Sequence, residues 1–228
     1  MPPAAAPGAI PRSVLADQVK ERLLDGILSG RFPPDSRIVE TQIARELGTS
    51  QAPVREALRG LEAMGVVEIT PFRGARVRRA TKGELLEAYA VRSALEGLGA
   101  RLAVPLMDDA AIDELAGQVA EMDVAARAGD ADRLAEADAR FHGRIVELAG
   151  NGALAKVWRS LEPFSRTYLT LIAPGADLAW SAELHAPILA AVRARDTDAV
   201  VAALERHFAE VSANMAVRLA EDTDGEDT

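Results

Sequence analysis

Apolar residues recur at helical spacing through the whole of this 228-residue chain beyond Thr81. Six amphipathic segments can be drawn there, at approximately 81–105, 109–128, 130–149, 152–173, 178–194 and 196–220, and no convincing strand lies between them. Pro, Gly or Asp marks each break, which keeps the connections short. Because helices joined by short connections pack beside their sequence neighbours, residues 80–220 are predicted to form an all-α antiparallel helical bundle.

Residues 12–79 carry a different pattern, in which three short helices precede two strands. Ser13 is the expected N-cap of the first helix, whose apolar face is expected to carry Val14, Val19, Leu23, Ile27 and Leu28. The second helix lies in ETQIARELG, and Ser50 is expected to cap the third, QAPVREALRGLEAMG. VVEIT and ARVRR follow as strands around a PFRG turn. The expected fold class is therefore mainly α: a winged helix-turn-helix (three helices plus a β-hairpin) followed by the bundle.

The two ends and the charge distribution set further limits. Residues 1–11 are expected to be a disordered arm and residues 221–228 an acidic tail. Without a signal peptide, a long apolar run or any Cys, the chain is expected to be soluble and cytoplasmic, with no membrane partner. The net charge of -9 divides unevenly: residues 1–80 carry 12 Lys and Arg against 9 Asp and Glu, whereas residues 81–228 carry 14 against 26. Local positive charge favours phosphate binding by the first part.

The segment from Ile38 to Val67 resembles the GntR family of transcription regulators, whose DNA-binding domains carry L-x-E-x-x-L-A-x-x-L-G-V-S-R-x-P-V-R-E-A-L-x-x-L-x-x-x-G-L-V. Residues 53–58, PVREAL, match without a break, and the resemblance covers roughly residues 12–79. It implies that Arg55, on the third helix, contacts double-stranded DNA in the major groove. It also implies that Gly74 of the wing turn allows close approach to the duplex.

Further DNA-contacting candidates lie at the start of the third helix and around it: Ser50, Gln51, Ala52, Arg59, Thr41 and Arg73. Arg76 and Arg78 of the wing are also expected to face phosphates or the minor groove. Gln51 stands where the family usually has Arg. Arg favours guanine and Gln favours adenine, so adenine is expected at that base pair; a phosphate contact of Gln51 is the alternative. For Arg59 and Thr41 the alternatives are solvent exposure and helix capping.

All three histidines of the chain lie in the predicted bundle, and each falls on an apolar helix face. Asp138 and His142 are i, i+4 neighbours, His185 shares a face with Ile188, and His207 shares one with Leu204. Buried imidazoles and a carboxylate need partners. A divalent metal (zinc above all, or Ni, Mn or Fe) satisfies all four residues, whereas core histidines bonded to carbonyls are the alternative.

Residues 84–212 resemble the FCD ligand-binding domain of the FadR-like branch of GntR regulators, in which an Asp, the His one turn later and a His in each of two later helices bind metal. Asp138, His142, His185 and His207 match that order. The resemblance points to small organic or sugar acids as effectors. Arg92 is expected to hold the effector carboxylate or, alternatively, to form a surface pair with Glu96.

Asn214 is expected either to line the effector pocket or to make an interhelical hydrogen bond, and Tyr89 to be core. Together the two resemblances predict a homodimeric repressor that binds a near-palindromic operator and responds to a carboxylate effector. A metal-responsive regulator and a structural metal with the effector elsewhere remain alternatives. A metal-dependent hydrolase is disfavoured, because no HExxH motif and no further His is present as a general base. No enzymatic activity is therefore expected.

Overall fold

The computed structural model describes residues 12–70, 73–167 and 177–224, so the predicted arm at 1–11 lies outside the described residues. The chain divides into two compact units, Met1–Arg79 and Ala80–Thr228. None of the described helices is both long and apolar enough to cross a lipid bilayer.

The first unit combines three helices with a small antiparallel sheet. Its elements are α1 (Arg12–Leu28), β1 (Arg37–Ile38), α2 (Glu40–Glu46), α3 (Gln51–Ala63), β2 (Val67–Thr70) and β3 (Gly74–Val77). The strand order is β1-β3-β2, with Arg37 opposite Arg76 and Val67 opposite Val77. The three helices and the hairpin agree with the prediction, but β1 was not predicted, because a strand of two residues has no readable alternation.

Apolar side chains from all three helices and the sheet form one core in this unit. It includes Val19, Leu23, Leu58 and Leu61, each at most 2% exposed. Val14 was wrongly assigned to this face and is 43% exposed. It lies five residues before Val19, which turns it by about 140° around the helix, whereas Ala16 takes the buried position.

One of the two predicted helix caps in this unit is wrong. Helix α1 already includes Arg12, so Ser13 lies within its first turn and is not its N-cap. Ser50 does stand at the N-cap of α3 with an extended backbone, but its side chain makes no capping hydrogen bond.

The regular elements of the second unit are all helices within its described residues. Its elements are α4 (Lys82–Ala103), a 3-10 turn (Val104–Leu106), α5 (Asp109–Ala128), α6 (Ala131–Leu148), α7 (Gly152–Thr167), α8 (Leu178–Glu183), α9 (Ala186–Arg193) and α10 (Thr197–Asp224). Helix α4 begins with a capping box, in which Thr81 Oγ1 accepts from the Glu84 amide and the Glu84 carboxylate accepts from the Thr81 amide. Helix α4 packs against α10, α6 and α7, and α5 packs against α6.

The predicted helix at 178–194 is divided in two. His185 lies between α8 and α9, at the N-cap of α9, and not within a continuous helix. Pro187 explains the break, because it has no N–H for the Glu183 carbonyl and its ring would clash with that carbonyl in a helix. The acidic tail also begins later than predicted, because α10 continues to Asp224. For the predicted helix 152–173, residues 168–173 lie outside the described part of the chain.

Candidate metal, effector and DNA-binding sites

The four predicted metal ligands converge in the core of the second unit. Asp138 and His142 project from α6, His185 from the turn between α8 and α9, and His207 from α10. Each is at most 8% exposed. One ligand atom from each lies within 4.8 Å of those of the other three. The sequence spacing alone could not give this convergence, since the residues come from three separate segments.

Hydrogen bonds at the far side of two imidazole rings determine which nitrogens are free of protons. His142 Nδ1 lies 2.5 Å from Glu96 Oε2, and His185 Nδ1 lies 3.1 Å from the Ser181 carbonyl and 3.3 Å from the Ala182 carbonyl. Carboxylates and carbonyls accept hydrogen bonds, so both Nδ1 atoms carry the proton. In the neutral rings both Nε2 atoms therefore present lone pairs.

These two bare nitrogens face each other and one carboxylate oxygen. His142 Nε2 lies 3.2 Å from His185 Nε2, and Asp138 Oδ1 lies 3.1 Å from His185 Nε2 and 3.7 Å from His142 Nε2. Three lone pairs aimed at one point repel unless a cation lies between them. Ligands about 2.0–2.2 Å from a divalent metal stand roughly 3–3.6 Å apart, so the spacing fits such an ion.

The fourth residue adds an unsatisfied atom to the cluster. His207 Nδ1 is buried and has no hydrogen-bond partner among the described residues. Burial above all lowers the pKa of His207 well below its usual range. A neutral imidazole is the form that binds metal, so His207 is suited to act as a ligand.

Glu96 is the main support of this cluster and was not predicted as a site residue. Its Oε1 accepts from Arg92 Nε at 3.0 Å, from Arg92 Nη2 at 2.8 Å and from Trp158 Nε1 at 2.7 Å, while its Oε2 holds His142. Burial raises the pKa of Glu96, but its interactions with His142 and Arg92 outweigh burial and the net pKa is lowered. Its position four residues after Arg92 on the face of Leu85 and Ala100 could have indicated burial.

Arg92 was predicted either to bind the effector or to form a surface pair with Glu96. The pair is present, but it is fully buried, with Arg92 2% exposed and Glu96 0% exposed. The surface alternative is therefore wrong. The rings of Phe208, Trp158 and Tyr89 surround the guanidinium, with centroids 5.2, 5.4 and 5.9 Å away. This aromatic shell compensates for part of its lost hydration.

A cavity of about 20 Å³ adjoins the metal-ligand cluster. Its lining includes Arg92, Asp138, His185 and His207, so it reaches three of the four candidate ligands. Asn214 was predicted either to line the pocket or to make an interhelical hydrogen bond, and it is not among the lining residues. Tyr89 is buried in the core, as predicted, and also lines the cavity.

The predicted DNA-contacting residues of α2 and α3 lie on the surface of the first unit. Ser50, Gln51, Ala52, Arg55 and Arg59 are exposed along α3 and its start, and so is Thr41 on α2. The Arg55 guanidinium is held by Glu40, with Nη2 at 3.0 Å and Nε at 3.2 Å from Oε2. The sequence did not indicate this ion pair between α2 and α3.

Two arginines of the wing make hydrogen bonds within the first unit. Arg76 donates to the Asp35 carbonyl at 2.6 Å, and Arg78 donates to the Gly65 carbonyl at 3.1 Å. Each arginine thus makes a contact within the first unit, and the expected contact of Arg76 and Arg78 with DNA stays a prediction. Arg73 is exposed, and Gly74 has φ +86°, a conformation that glycine adopts without strain.

Comparisons with known proteins agree with both units. Residues 15–77 match the gntR family of bacterial regulatory proteins, and residues 87–210 match the FCD domain. The chain is 37% identical over 198 residues to the "Probable D-xylose utilization operon transcriptional repressor" of Paenarthrobacter nicotinovorans, covering 87% of each protein. It is 31% identical to the Nta operon transcriptional regulator of Aminobacter aminovorans, covering 81% of this chain and 88% of that one.

Solved structures share the fold. Escherichia coli McbR/YncC superposes with a TM-score of 0.77 at 24% identity, covering 91% of this chain and 98% of that one. A GntR-type transcriptional regulator from Rhodococcus sp. RHA1 gives 0.76 at 24% identity, covering 88% and 97%. The family and the two curated relatives are regulators of transcription and not enzymes. The chain therefore belongs to the GntR family of bacterial transcription regulators, with an N-terminal GntR helix-turn-helix domain and a C-terminal FCD domain.

Proposed function

We propose that this chain is a cytoplasmic repressor that binds a near-palindromic DNA operator as a homodimer and leaves it when a small carboxylate effector binds beside a divalent metal. The relative in Paenarthrobacter nicotinovorans, named as an operon repressor, supports repression as the direction of control. A two-fold dimer supports a near-palindromic operator, because each α3 would read one half-site.

The metal part of the proposal depends on one observation, the convergence of two bare imidazole nitrogens and a carboxylate oxygen within 3.1–3.7 Å of each other. Asp138, His142, His185 and His207 would hold the ion, with zinc favoured for this nitrogen-rich set. Bound there, the metal would supply a Lewis-acid contact for an oxygen of the effector. Glu96 would keep His142 in the ligating tautomer.

The effector part depends on the cavity, which reaches both Arg92 and three of the candidate ligands. A carboxylate there would meet the cation on one side and a guanidinium on the other. Arg92 already gives Nε and Nη2 to Glu96, so it would act on the effector mainly through its charge. Asn214, outside this lining, would act only through a rearrangement.

The DNA part assigns the operator contacts to the exposed surface of α2, α3 and the wing. Arg55 would donate to the duplex from its position against Glu40, and Gln51 would favour adenine at the base pair it faces. Ser50, Ala52, Thr41, Arg59, Arg73 and Gly74 would complete the contact surface through phosphates and backbone approach.

The experiment selects operator sites from random DNA and then measures binding by fluorescence anisotropy in three states: metal-free, zinc-loaded, and zinc-loaded with a panel of organic acids. We expect only the third state to release the DNA. Release by zinc alone would support the metal-responsive alternative. Indifference to zinc and to every acid would contradict control through this site. As a control, Asp138→Asn should remove the acid response and leave operator binding intact.

A further inference from the structure

The three-stranded sheet of the first unit carries a row of charged side chains on its outer face. Arg37 of β1 lies opposite Arg76 of β3, and Arg76 lies opposite Glu68 of β2. All three side chains are exposed. Like charges that face each other across two strands repel, so the Arg37–Arg76 pair destabilises the sheet. Glu68, the acidic residue of this row, stands about 10 Å from Arg37 at the backbone, because neighbouring strands lie about 4.8 Å apart.

The guanidinium of Arg37 is directed towards the wing turn. The Arg37 backbone lies opposite Arg76, but the head group reaches Gly74, two residues closer to the turn on the same face of β3. A Cβ atom placed on Gly74 would lie 3.5 Å from Arg37 Nε and 3.6 Å from Nη2, so the guanidinium packs against the bare backbone of this glycine. Gly74 is also the residue at which the duplex is proposed to approach closely. The positive charge of Arg37 therefore lies at the rim of the proposed DNA-contacting surface.

Arg37 lacks a counter-charge among the residues that the structure describes, where its guanidinium has neither a hydrogen-bond partner nor an ion-pair partner. Two neighbouring arginines, in contrast, are both held by Asp35: Arg76 donates to its carbonyl at 2.6 Å, and Arg79 pairs with its carboxylate at 3.2 Å. An exposed guanidinium beside a second positive charge attracts an anion with several acceptor oxygens. A phosphate of the DNA backbone is such an anion, and guanidinium geometry suits it.

We infer that Arg37 is a further DNA-contacting residue, which binds a backbone phosphate beside the wing turn. This inference rests on the proposed contact surface of α2, α3 and the wing. Arg37 lies three residues before Glu40, the first residue of α2, so its phosphate would lie between the contacts of α2 and those of the wing turn. The phosphate would also screen the repulsion between Arg37 and Arg76. Because a phosphate carries no sequence information, Arg37 adds affinity for DNA and no base preference.

The test measures how the full-length Arg37→Gln variant binds the selected operator and a shuffled duplex of the same length, by fluorescence anisotropy, between about 50 and about 200 mM salt. Each phosphate contact contributes about 0.9 to the slope of log affinity against log salt concentration. The variant should therefore bind both duplexes more weakly, and over this range it should lose about 3.5-fold less affinity than the wild-type protein. Arg37→Lys should keep the wild-type slope, because an ammonium group also binds phosphate.

Arg22→Gln is the matched control, because Arg22 is an exposed arginine of α1 and lies outside the sheet. It removes the same charge and should keep the wild-type slope. Urea unfolding without DNA gives a second readout. Arg37→Gln should unfold at the same urea concentration as the wild-type protein or at a higher one, since the repulsion from Arg76 is removed.

Failure of the wild-type protein to bind any duplex would overturn the proposed function and this inference together. When the wild-type protein does bind, an unchanged slope in Arg37→Gln, or an equal change in Arg22→Gln, would overturn this inference alone. A loss confined to the operator would show a base contact instead of a phosphate contact. A lower urea midpoint would show that Arg37 supports the sheet, and it would also overturn the inference.

Discussion

Glu96→Gln is the substitution whose effect on metal binding can be worked out atom by atom. Glu96 Oε1 accepts three N–H groups, two from Arg92 and one from Trp158, whereas Oε2 faces only His142 Nδ1. The amide of Gln must therefore place its carbonyl at the Oε1 position. Its NH₂ group then faces His142.

Two donors cannot share a hydrogen bond, so His142 is expected to change its tautomer. Nδ1 would lose its proton and accept from the Gln amide, and Nε2 would gain the proton. Nε2–H would then donate to His185 Nε2, which lies 3.2 Å away. A nitrogen that carries a proton has no lone pair for a metal, so the cluster loses one of its four ligands.

Substituting a residue that hydrogen-bonds to a metal-bound histidine usually lowers metal affinity 10- to 100-fold, or by about 1.4–2.7 kcal/mol, and we expect a loss of zinc affinity in this range. The variant should remain folded, because Arg92 keeps its hydrogen bonds to the carbonyl oxygen and Asp138 remains as a counter-charge. We expect a loss of about 1–3 kcal/mol in the free energy of unfolding.

The assay is zinc titration against a competing chelator, with circular dichroism to check helix content. Glu147→Gln is the matched control. Glu147 lies on the same helix as His142, but its side chain is exposed and makes a long ion pair, 3.8 Å from Oε2 to Arg144 Nη1. A zinc dissociation constant within twofold of wild type in Glu96→Gln would refute the tautomer reasoning. Equal losses in both variants would point to a general charge effect instead.

Three further predictions concern the fold and DNA binding. Removing the metal with a chelator should lower the melting temperature of the FCD domain by roughly 5–10 °C, since an ion at 100 times its dissociation constant adds about 2.7 kcal/mol to the free energy of unfolding. Calorimetry with zinc added back checks this, and an unchanged melting temperature would argue against a bound ion. Leu61→Ala should cost about 2–5 kcal/mol in urea unfolding, whereas the exposed Val14→Ala should stay within about 0.5 kcal/mol. Arg55→Ala should weaken operator binding by about 1–3 kcal/mol. A variant that binds the operator as tightly as the wild-type protein at every salt concentration would exclude Arg55 as a contact.

The fold class and the presence of a GntR helix-turn-helix domain could be predicted from the sequence, because both depend on residues close together in the chain. Helical spacing of apolar residues repeats every three or four positions, and PVREAL lies within a single helix. The Asp138–His142 pair was also local, one helical turn apart on α6. Patterns of this length depend only on neighbouring residues, so they can be recognised without knowledge of distant contacts.

Local readings failed where a short feature competed with the periodicity. Pro187 divided the helix that carries His185, although the apolar spacing continued through it. The two-residue strand β1 depends on pairing with β3, whose residues lie more than thirty positions later. Such a strand forms only because its partner is in place.

The sequence by itself determined that the chain builds helices, carries a DNA-reading motif and has ligand-type side chains on apolar helix faces. Tertiary structure alone decided which of these side chains meet. Glu96 reaches His142 and Trp158 across 46 and 62 positions, and its contact with His142 favours a proton-free Nε2 at the candidate metal site. The reason is physical: periodicity is set by neighbours within one or two turns, whereas the packing of separate helices aligns two atoms to within a hydrogen-bond length.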